Sequence, residues 1–293
     1  MSNSGNGWIL SDFNTYEEAY SQFGGSVCSH PDVIRFLGEK GPAPSFYVYK
    51  RGDELICATY VTDKNILAGN STYPFVFYDI ILPYNKLAKK KFFLPFRTKQ
   101  LSPYHAGNFH NCIYWKGIKR KTCVVKHDFS NATHKKRRLA FNKFLQAGGE
   151  CRPVDHYSNE ELCDIYCTLF KRRWGSTLQC YSREVLLEVF KALRHLVFGH
   201  VLQIQGVPCA YDLVFKAECK QWYFFDCING GYDPAYSDLS IGSILMYLNI
   251  QSAREMCRAD NVRMFFSLGI DNPRWQYKQQ WCNTFTLGRS LTL

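Results

Sequence analysis

The stretch GYDPAYSDLSIGSILMYLNIQSARE, residues 231–255, joins a loop of turn-forming residues to an apolar helix through Ser240, Ile241, Gly242 and Ser243. The first turn of a helix carries backbone N–H groups without intrahelical partners and a partial positive charge. Small residues there let an anion approach the backbone, so the stretch is compatible with a phosphate site. Helix capping by serine is the alternative. The residues themselves leave both interpretations open.

Periodicity predicts the elements on both sides of this stretch. Residues 157–175 and 182–199 are predicted to be amphipathic helices, and Ser158 and Glu161 stand in capping-box spacing before the first. Three strands follow before the quoted stretch, and after its helix come another strand and a terminal strand at 277–288. The predicted order is α-α-β-β-β-α-β with a terminal strand.

The first part of the chain has the pattern of short strands and turns. Strands are predicted at residues 45–50, 54–62, 75–82 and 122–127, and helices at 16–23 and 31–37. A basic helix is predicted next in NATHKKRRLAFNKFLQAGGE, residues 131–150, where Gly148 and Gly149 mark its end.

This pattern predicts three regions. They are an N-terminal half over residues 1–127, a basic connecting helix over 128–149 and a C-terminal domain over 150–293.

The composition is that of a globular protein. The chain has 293 residues, of which 46% are hydrophobic and 16% aromatic, enough for a sizeable core. It has no run of about 18 apolar residues, and residues 1–12 lack the regions of a signal peptide, so a cytoplasmic protein is expected. The thirteen cysteines form no Cys-x-x-Cys pair, which favours reduced thiols and predicts no metal site.

The net charge of +11 is unevenly placed. The segment that begins at Lys86 and ends at Lys143, called the basic segment below, contains sixteen Lys or Arg residues and one acid, Asp128. Such a field attracts a polyanion, so the expected partner is an anionic membrane surface, an acidic carrier protein or tRNA. An ordinary soluble surface, which usually mixes both signs, is the alternative.

Two functions without catalysis fit the basic segment. A nucleic-acid-binding regulator would stack bases on aromatic residues interleaved with the lysines: Phe92, Phe93, Phe96 and Trp115. No helix-turn-helix or zinc-finger spacing is present, however, and no specific DNA site is expected. A membrane-peripheral protein would instead dock residues 85–99, NKLAKKKFFLPFRTK, on anionic lipid.

The order of elements resembles the GNAT acyltransferase fold in its FemABX-like branch. The motifs that carry this resemblance are KKRRLAFNKFLQAGGE (135–150), QGVPCAYDLVF (205–215), FFDCINGGYDPAYSDLSIGSILM (224–246) and YKQQW (277–281). It implies an α+β fold with a GNAT-like mixed sheet flanked by helices. Two GNAT-like halves are expected, the N-terminal one degenerate.

The whole chain also resembles the macrophage-inducible antimicrobial-peptide-resistance family of enteric bacteria. The matching motifs are GGSVCSHPDVIRFL (24–37), CVVKHDFSN (123–131), RHLVFGHVL (194–202) and CINGGYDPAY (227–236). This resemblance implies a virulence-associated protein that contributes to antimicrobial-peptide resistance. Together, the two resemblances predict transfer of an acyl or aminoacyl group to an amine or hydroxyl, in a cytoplasmic protein that can associate with the inner membrane.

The GNAT resemblance also implies a donor site. Residues 240–246, SIGSILM, stand where GNAT enzymes have a GxGxxLL-type loop, so Ser240, Ile241, Gly242 and Ser243 are expected to bind the donor. The expected donor is acyl-CoA or another activated acyl or aminoacyl donor. Ser237 replaces the usual Arg or Gln and Ser240 replaces the first Gly, which weakens the case for acyl-CoA relative to a carrier-bound or tRNA-bound donor.

Acyl transfer to an amine further requires a polarised carbonyl, a base and an acid. In GNAT-like sites a strand amide polarises the carbonyl, and DCING, residues 226–230, marks the expected strand end. Asp226 and then Asp212 are the predicted bases, because burial on a central strand raises a carboxyl pKa; a paired structural carboxylate is the alternative.

Four further residues complete the predicted site. Tyr232 and Tyr236 are predicted proton donors beside the cleft. Tyr277 and Lys278 match the Tyr-Lys of the FemABX-like branch, where Lys278 would hold an anionic group. The alternative is that these two residues close the core around Trp281.

Overall fold

The computed structural model describes residues 7–62, 72–115, 117 and 119–291 of the chain. Residues 1–6 lie outside this description, and so does Lys116, which belongs to the basic segment. The helices are α1 Phe13–Phe23, α2 Pro31–Lys40, α3 Asn131–Gln146, α4 Asn159–Trp174, α5 Arg183–Leu193, α6 Ile241–Ala259 and α7 Lys278–Trp281. The strands are β1 Gly7–Ser11, β2 Ser45–Arg51, β3 Glu54–Val61, β4 Cys112–Ile113, β5 Lys121–Val125, β6 Gly149–Pro153, β7 Val197–Phe198, β8 His200–Ile204, β9 Val207–Glu218, β10 Trp222–Tyr232, β11 Arg263–Ile270, β12 Cys282–Thr286 and β13 Arg289–Ser290.

A mixed sheet organises the structure. Its strand order is β12-β5-β11-β10-β9-β8-β6, with β7 added beside β9. β10 and β11 are parallel and α6 connects them, whereas the other described pairs of this sheet are antiparallel. Helices flank this sheet, so the predicted α+β class with a mixed sheet is confirmed.

The parallel pair separates before its strands end. Pairing runs from Trp222 opposite Arg263 to Asp226 opposite Ser267. β10 then continues to Tyr232 beside β9, while β11 pairs with β5 on its other side. A gap therefore opens between two neighbouring strands in the middle of the sheet.

Local signals explain why α4 begins and ends where it does. The Ser158 side chain accepts the N–H of Glu161, and the Glu161 carboxylate accepts the N–H of Ser158, as the capping-box spacing predicts. The helix ends at Gly175, whose φ of 54° suits glycine. α4 packs so closely on β10 that a Cβ at Gly231 would overlap the backbone of Leu169 and Phe170.

The N-terminal part packs onto the large sheet rather than standing apart. Its three-stranded sheet, β1-β2-β3, shares one hydrophobic core with α4, α5 and the strands β9 and β10. Phe75 contacts Phe215 with ring centroids 5.1 Å apart, and the Trp222 indole donates to the carbonyl of Gly25 at 3.0 Å. These aromatic contacts bury one face of the central strands.

Three sequence predictions need correction or comment. Residues 75–82 form an extended segment with one bridge, Ile80 to Leu101, because Asp79 adopts a left-handed φ of 61° that interrupts a strand. The terminal stretch 277–288 begins with α7, and strand β12 starts only at Cys282. β5 precedes the predicted boundary at residue 127 yet belongs to the large sheet, and the division into three regions stays a prediction.

Gly231→Ala tests the packing of α4 on β10. The added methyl group meets helix backbone, which cannot move aside as a side chain can, so we expect a loss of about 3 kcal/mol in the free energy of unfolding. Urea denaturation measures it. Gly41→Ala is the control, since a Cβ there lies 3.6 Å from its nearest neighbour, the Leu37 carbonyl oxygen. Equal stability of the Gly231 variant and the wild type would contradict this packing.

Candidate active site

A cleft of about 430 Å³ lies where β10 and β11 separate. Its walls come from the end of α4, the second half of β10, the first turn of α6 and the segment around α7. Eight of the predicted site residues line it: Asp212, Tyr232, Ser240, Ile241, Gly242, Ser243, Tyr277 and Lys278. The volume falls in the usual range of small-molecule sites.

The first turn of α6 is open to the cleft. Its N-cap, Ser240, has a left-handed backbone (φ 56°, ψ 35°), and its side chain makes no capping hydrogen bond. The N–H groups of Ser243 and Ile244 both donate to the Ser240 carbonyl. Within the described residues, the N–H groups of Ile241 and Gly242 have no such backbone partner. Side-chain capping, the alternative from the sequence, is therefore not found.

Gly242 is packed against an aromatic ring. A Cβ at this position would lie 3.1 Å from a ring carbon of Tyr232, closer than ordinary van der Waals contact. Tyr232 itself lines the cleft at the end of β10. A larger residue at 242 would displace this ring as well as fill the space in front of the helix.

A bulge interrupts β10 at the cleft. Cys227 pairs with Val214 and Asn229 with Leu213, so Ile228 has no opposite residue on β9. Such an extra residue leaves its backbone groups outside the ladder. Ile228 lines the cleft, within the DCING stretch expected to supply a strand amide.

Asp212 is the buried acid of the cleft. It is 8% exposed, and its Oδ2 atom has no hydrogen-bond partner. Burial raises its pKa from 3.8 to about 6, and the positive charge of Arg173 opposes that rise. The carboxylate lies against Gly230 on the neighbouring strand, where a Cβ would collide with Oδ1.

Arg173, at the end of α4, is a cleft residue that sequence reasoning missed. Its guanidinium lies 4.2 Å from the Trp174 ring and 4.6 Å from the Tyr232 ring, and it donates to the Gly230 carbonyl at 3.3 Å. A basic residue in the last turn of a helix is common for electrostatic reasons. The sequence therefore contained no signal that marked Arg173 as part of a site.

The α7 wall holds Tyr277 and Lys278. Lys278 Nζ donates to the Ile270 carbonyl at 2.9 Å, and burial lowers the pKa of this lysine. Tyr277 is 41% exposed at the cleft. Near them, Trp275 meets Trp174 edge to face, with ring centroids 5.2 Å apart.

Two predicted site residues do not line the cleft. Asp226 follows Trp222 and Phe224 on the face of β10 that joins the main core, and it is 2% exposed. Burial and the charge of Asp79 raise its pKa to about 7, against the effect of Lys278. Tyr236 lies in the turn before α6 and packs against a separate apolar cluster. Of the two predicted bases, only Asp212 lines the cleft.

Asp79 and Asp226 form a buried pair of acids. Asp79 is 3% exposed and accepts the Thr122 hydroxyl at 3.2 Å, while its other oxygen has no partner. Burial raises its pKa to about 6. Like charges in such surroundings disfavour double ionisation.

Neither a metal-binding cluster nor a membrane-spanning helix occurs among the described residues. Within the described ranges, no cluster of three or more His, Cys, Asp or Glu side chains has a metal-binding arrangement. No helix in the described part of the chain has the length and apolar character needed to cross a bilayer.

Comparisons with known proteins agree with this architecture. The crystal structure of FemX is similar to this chain, with a TM-score of 0.61 and 9% sequence identity. The similarity covers 98% of this chain and 97% of FemX. L-PGS from Bacillus licheniformis matches 88% of this chain over 76% of its own, with a TM-score of 0.50 and 13% identity. The chain thus has a FemX-like fold, which agrees with the predicted GNAT/FemABX-like class. A family model, Mig-14, matches residues 30–290, and the chain belongs to the Mig-14 family. No curated protein matches the sequence.

Asp226→Asn tests the charge state of the buried acids. Because the folded-state pKa is raised from 3.8 to about 7, ionisation penalises the native state increasingly as the pH rises through that interval. The variant should match the wild type near pH 4 and exceed its unfolding free energy by on the order of 4 kcal/mol near pH 8. Urea titrations across this range measure the difference.

The exposed Asp155→Asn provides the control for that series. It removes the same charge from the surface and relieves no burial, so it controls for the loss of a carboxylate as such. A stability difference for Asp226→Asn that is constant from acid to alkaline pH would show that Asp226 is not a raised-pKa acid.

Proposed function

We propose that the protein is an acyltransferase that moves an acyl or aminoacyl group from an activated donor to an amine or hydroxyl. The observation that carries this proposal is the uncapped first turn of α6, which faces the same cleft as the buried Asp212. The proposed biological role is a contribution to antimicrobial-peptide resistance. That role rests on the family resemblance rather than on the geometry.

The donor is proposed to bind at the first turn of α6. The N–H groups of Ile241 and Gly242, together with the positive end of the helix dipole, suit a phosphate group. The Ser240 and Ser243 side chains leave room for it, and Arg173 adds a full positive charge to the cleft. The donor supplies a carbonyl carbon activated by its leaving group.

Asp212 is the proposed base. With a pKa of about 6 it is largely ionised at neutral pH, and its unpartnered oxygen can accept a proton. The acceptor nitrogen or oxygen would attack the donor carbonyl as Asp212 takes its proton. The N–H of Ile228, which has no opposite residue on β9, is the proposed donor to the carbonyl oxygen. Tyr277, which lines the cleft, replaces Tyr236 as the proposed source of the leaving group's proton.

The choice of donor stays open between three classes. Acyl-CoA, an acylated carrier protein and aminoacyl-tRNA all carry phosphate together with an activated acyl group. The resemblance to the FemABX-like branch is the reason to include aminoacyl donors. α3 favours a large anionic carrier, since it contacts α6 and exposes four basic residues: Lys135, Lys136, Arg138 and Lys143.

Gly242→Asp tests the donor site. The carboxylate would stand where the phosphate should approach, although an acid in the first turn favours the helix itself. Thermal melts with the three donor classes should show that at least one stabilises the wild type, by about 2.7 kcal/mol at one hundred times Kd. The variant should fold and lose that stabilisation.

Two further variants separate charge from packing. Asn131→Asp adds the same charge to the first turn of α3 and should keep the donor response. Gly242→Ala adds only a methyl group against Tyr232 and should weaken the response less than Gly242→Asp. If none of the three donor classes shifts the wild-type melt, the acyltransferase proposal loses its main support.

A second proposal concerns attachment to an anionic membrane surface. Leu87 is 87% exposed and Phe93 is 49% exposed, and between them Lys89, Lys90 and Lys91 are exposed as well. Apolar side chains interleaved with lysines suit the interface of an anionic bilayer. Such attachment is compatible with catalysis and would bring the cleft to lipid-bound acceptors.

Replacing Lys89, Lys90 and Lys91 together by Glu tests this attachment. Each lysine near an anionic surface contributes about 1 kcal/mol, so binding to anionic vesicles should weaken roughly 100-fold or more at low salt. Vesicle co-sedimentation measures binding. The matched charge control replaces Lys135, Lys136 and Arg138 on α3 by Glu. This variant should weaken vesicle binding less. Equal binding of the wild type to neutral vesicles would contradict the proposal.

A further inference from the structure

Two cysteines meet beside the cleft in an arrangement that the proposed transfer reaction does not use. Cys167 lies on α4, and Cys180 lies on the connection from α4 to α5. Both are half-buried, and each thiol affects the pKa of the other. Cys167 Sγ also donates to the Tyr181 carbonyl at 3.8 Å. Because Tyr181 directly follows Cys180, this contact brings the two cysteines together although they lie on different segments of the chain.

The surroundings of this pair favour a reactive thiolate. The hydrogen bond from Cys180 lowers the pKa of Cys167 to about 7, and the positive charge of Lys171 acts in the same direction against burial. All thirteen cysteines lie in the described part of the chain, and Cys167 is the one whose pKa is lowered. On the same helix, burial raises the pKa of Cys163 to about 12. Reactivity toward oxidants follows thiolate character and access.

We propose that Cys167 and Cys180 are a redox modification site that closes to a reversible disulfide when the protein meets a peroxide. The Cys167 thiolate attacks one peroxide oxygen, forms a sulfenic acid and releases the other oxygen as water. The Cys180 thiol then attacks the Cys167 sulfur, the S–S bond forms and a second water leaves. Two thiols are oxidised and one hydrogen peroxide is reduced to two waters.

The bond would fix one wall of the cleft. Trp174 and Leu178, which lie between the two cysteines in the chain, both line the cleft. Tyr166 and Tyr181, the neighbours of the pair, lie with ring centroids 6.4 Å apart, and the Tyr166 hydroxyl donates to Asn229 Oδ1 at 3.1 Å. Asn229 follows the Ile228 bulge on β10. A disulfide at this point would therefore tie the α4–α5 connection to the helix that packs on the bulged strand.

Peptide mapping of the full-length protein tests the bond directly. After hydrogen peroxide and thiol alkylation, digestion with trypsin and an Asp-N protease separates residues 164–171, which contain only Cys167, from residues 174–183, which contain only Cys180. We expect these peptides to be joined with the loss of two hydrogens, and to separate after dithiothreitol. Recovery of both as separate peptides after peroxide would overturn the proposal.

Variants and a thermal melt test specificity and consequence. Cys167→Ser and Cys180→Ser should abolish the joined peptide, whereas Cys151→Ser, at another half-buried cysteine, should leave it unchanged. Oxidised wild type should melt roughly 5 °C above the reduced protein, and neither variant of the pair should show this rise. Equal melting of the two forms would overturn the inference that the bond fixes the cleft wall.

Discussion

The early separation of β10 and β11 is the constraint on which the rest of the structure depends. Their parallel pairing ends at Asp226 opposite Ser267, and each strand then pairs only with its outer neighbour. A parallel pair requires a crossover connection, and here that connection is α6. The crossover brings the start of α6 to the end of β10, so the gap between the strands and the free N–H groups of the helix meet at one place.

The other walls of the cleft follow from how closely α4 approaches β10. Gly230 and Gly231 let the carboxylate of Asp212 and the backbone of α4 pack where a side chain would stand. The end of α4 is thereby held over the gap, and the Trp174 indole donates to the Gly230 carbonyl at 2.9 Å. Arg173, the residue before Trp174 in the last turn of α4, lines the cleft as well. Two consecutive glycines on a strand thus decide which helix residues face the site.

Sequence reasoning succeeded where the signal was local and failed where it depended on register. Ser158 and Glu161 predicted the start of α4, whereas the small residues before α6 were compatible with both an open helix end and a capped one. By contrast, Asp212 and Asp226 both lie on central strands, and periodicity could not assign them to different faces. The strand pairing does assign them to different faces. Asp226 lies opposite Phe215 before the Ile228 bulge, and Asp212 lies opposite Gly230 beyond it. The bulge shifts the alternation by one residue, and no sequence pattern predicted it.

The start of α6 shows why an open helix end favours a binding site over ordinary capping. A left-handed backbone at a residue with a side chain costs about 1 kcal/mol, and a missing side-chain cap costs about the same. Ser240 carries both costs, since its φ is 56° and its hydroxyl makes no cap. A serine in an extended conformation at this position would have avoided them, as Ser158 does before α4. A phosphate that accepts from Ile241 and Gly242, as proposed for the donor, would satisfy the groups that Ser240 leaves open and offset this cost.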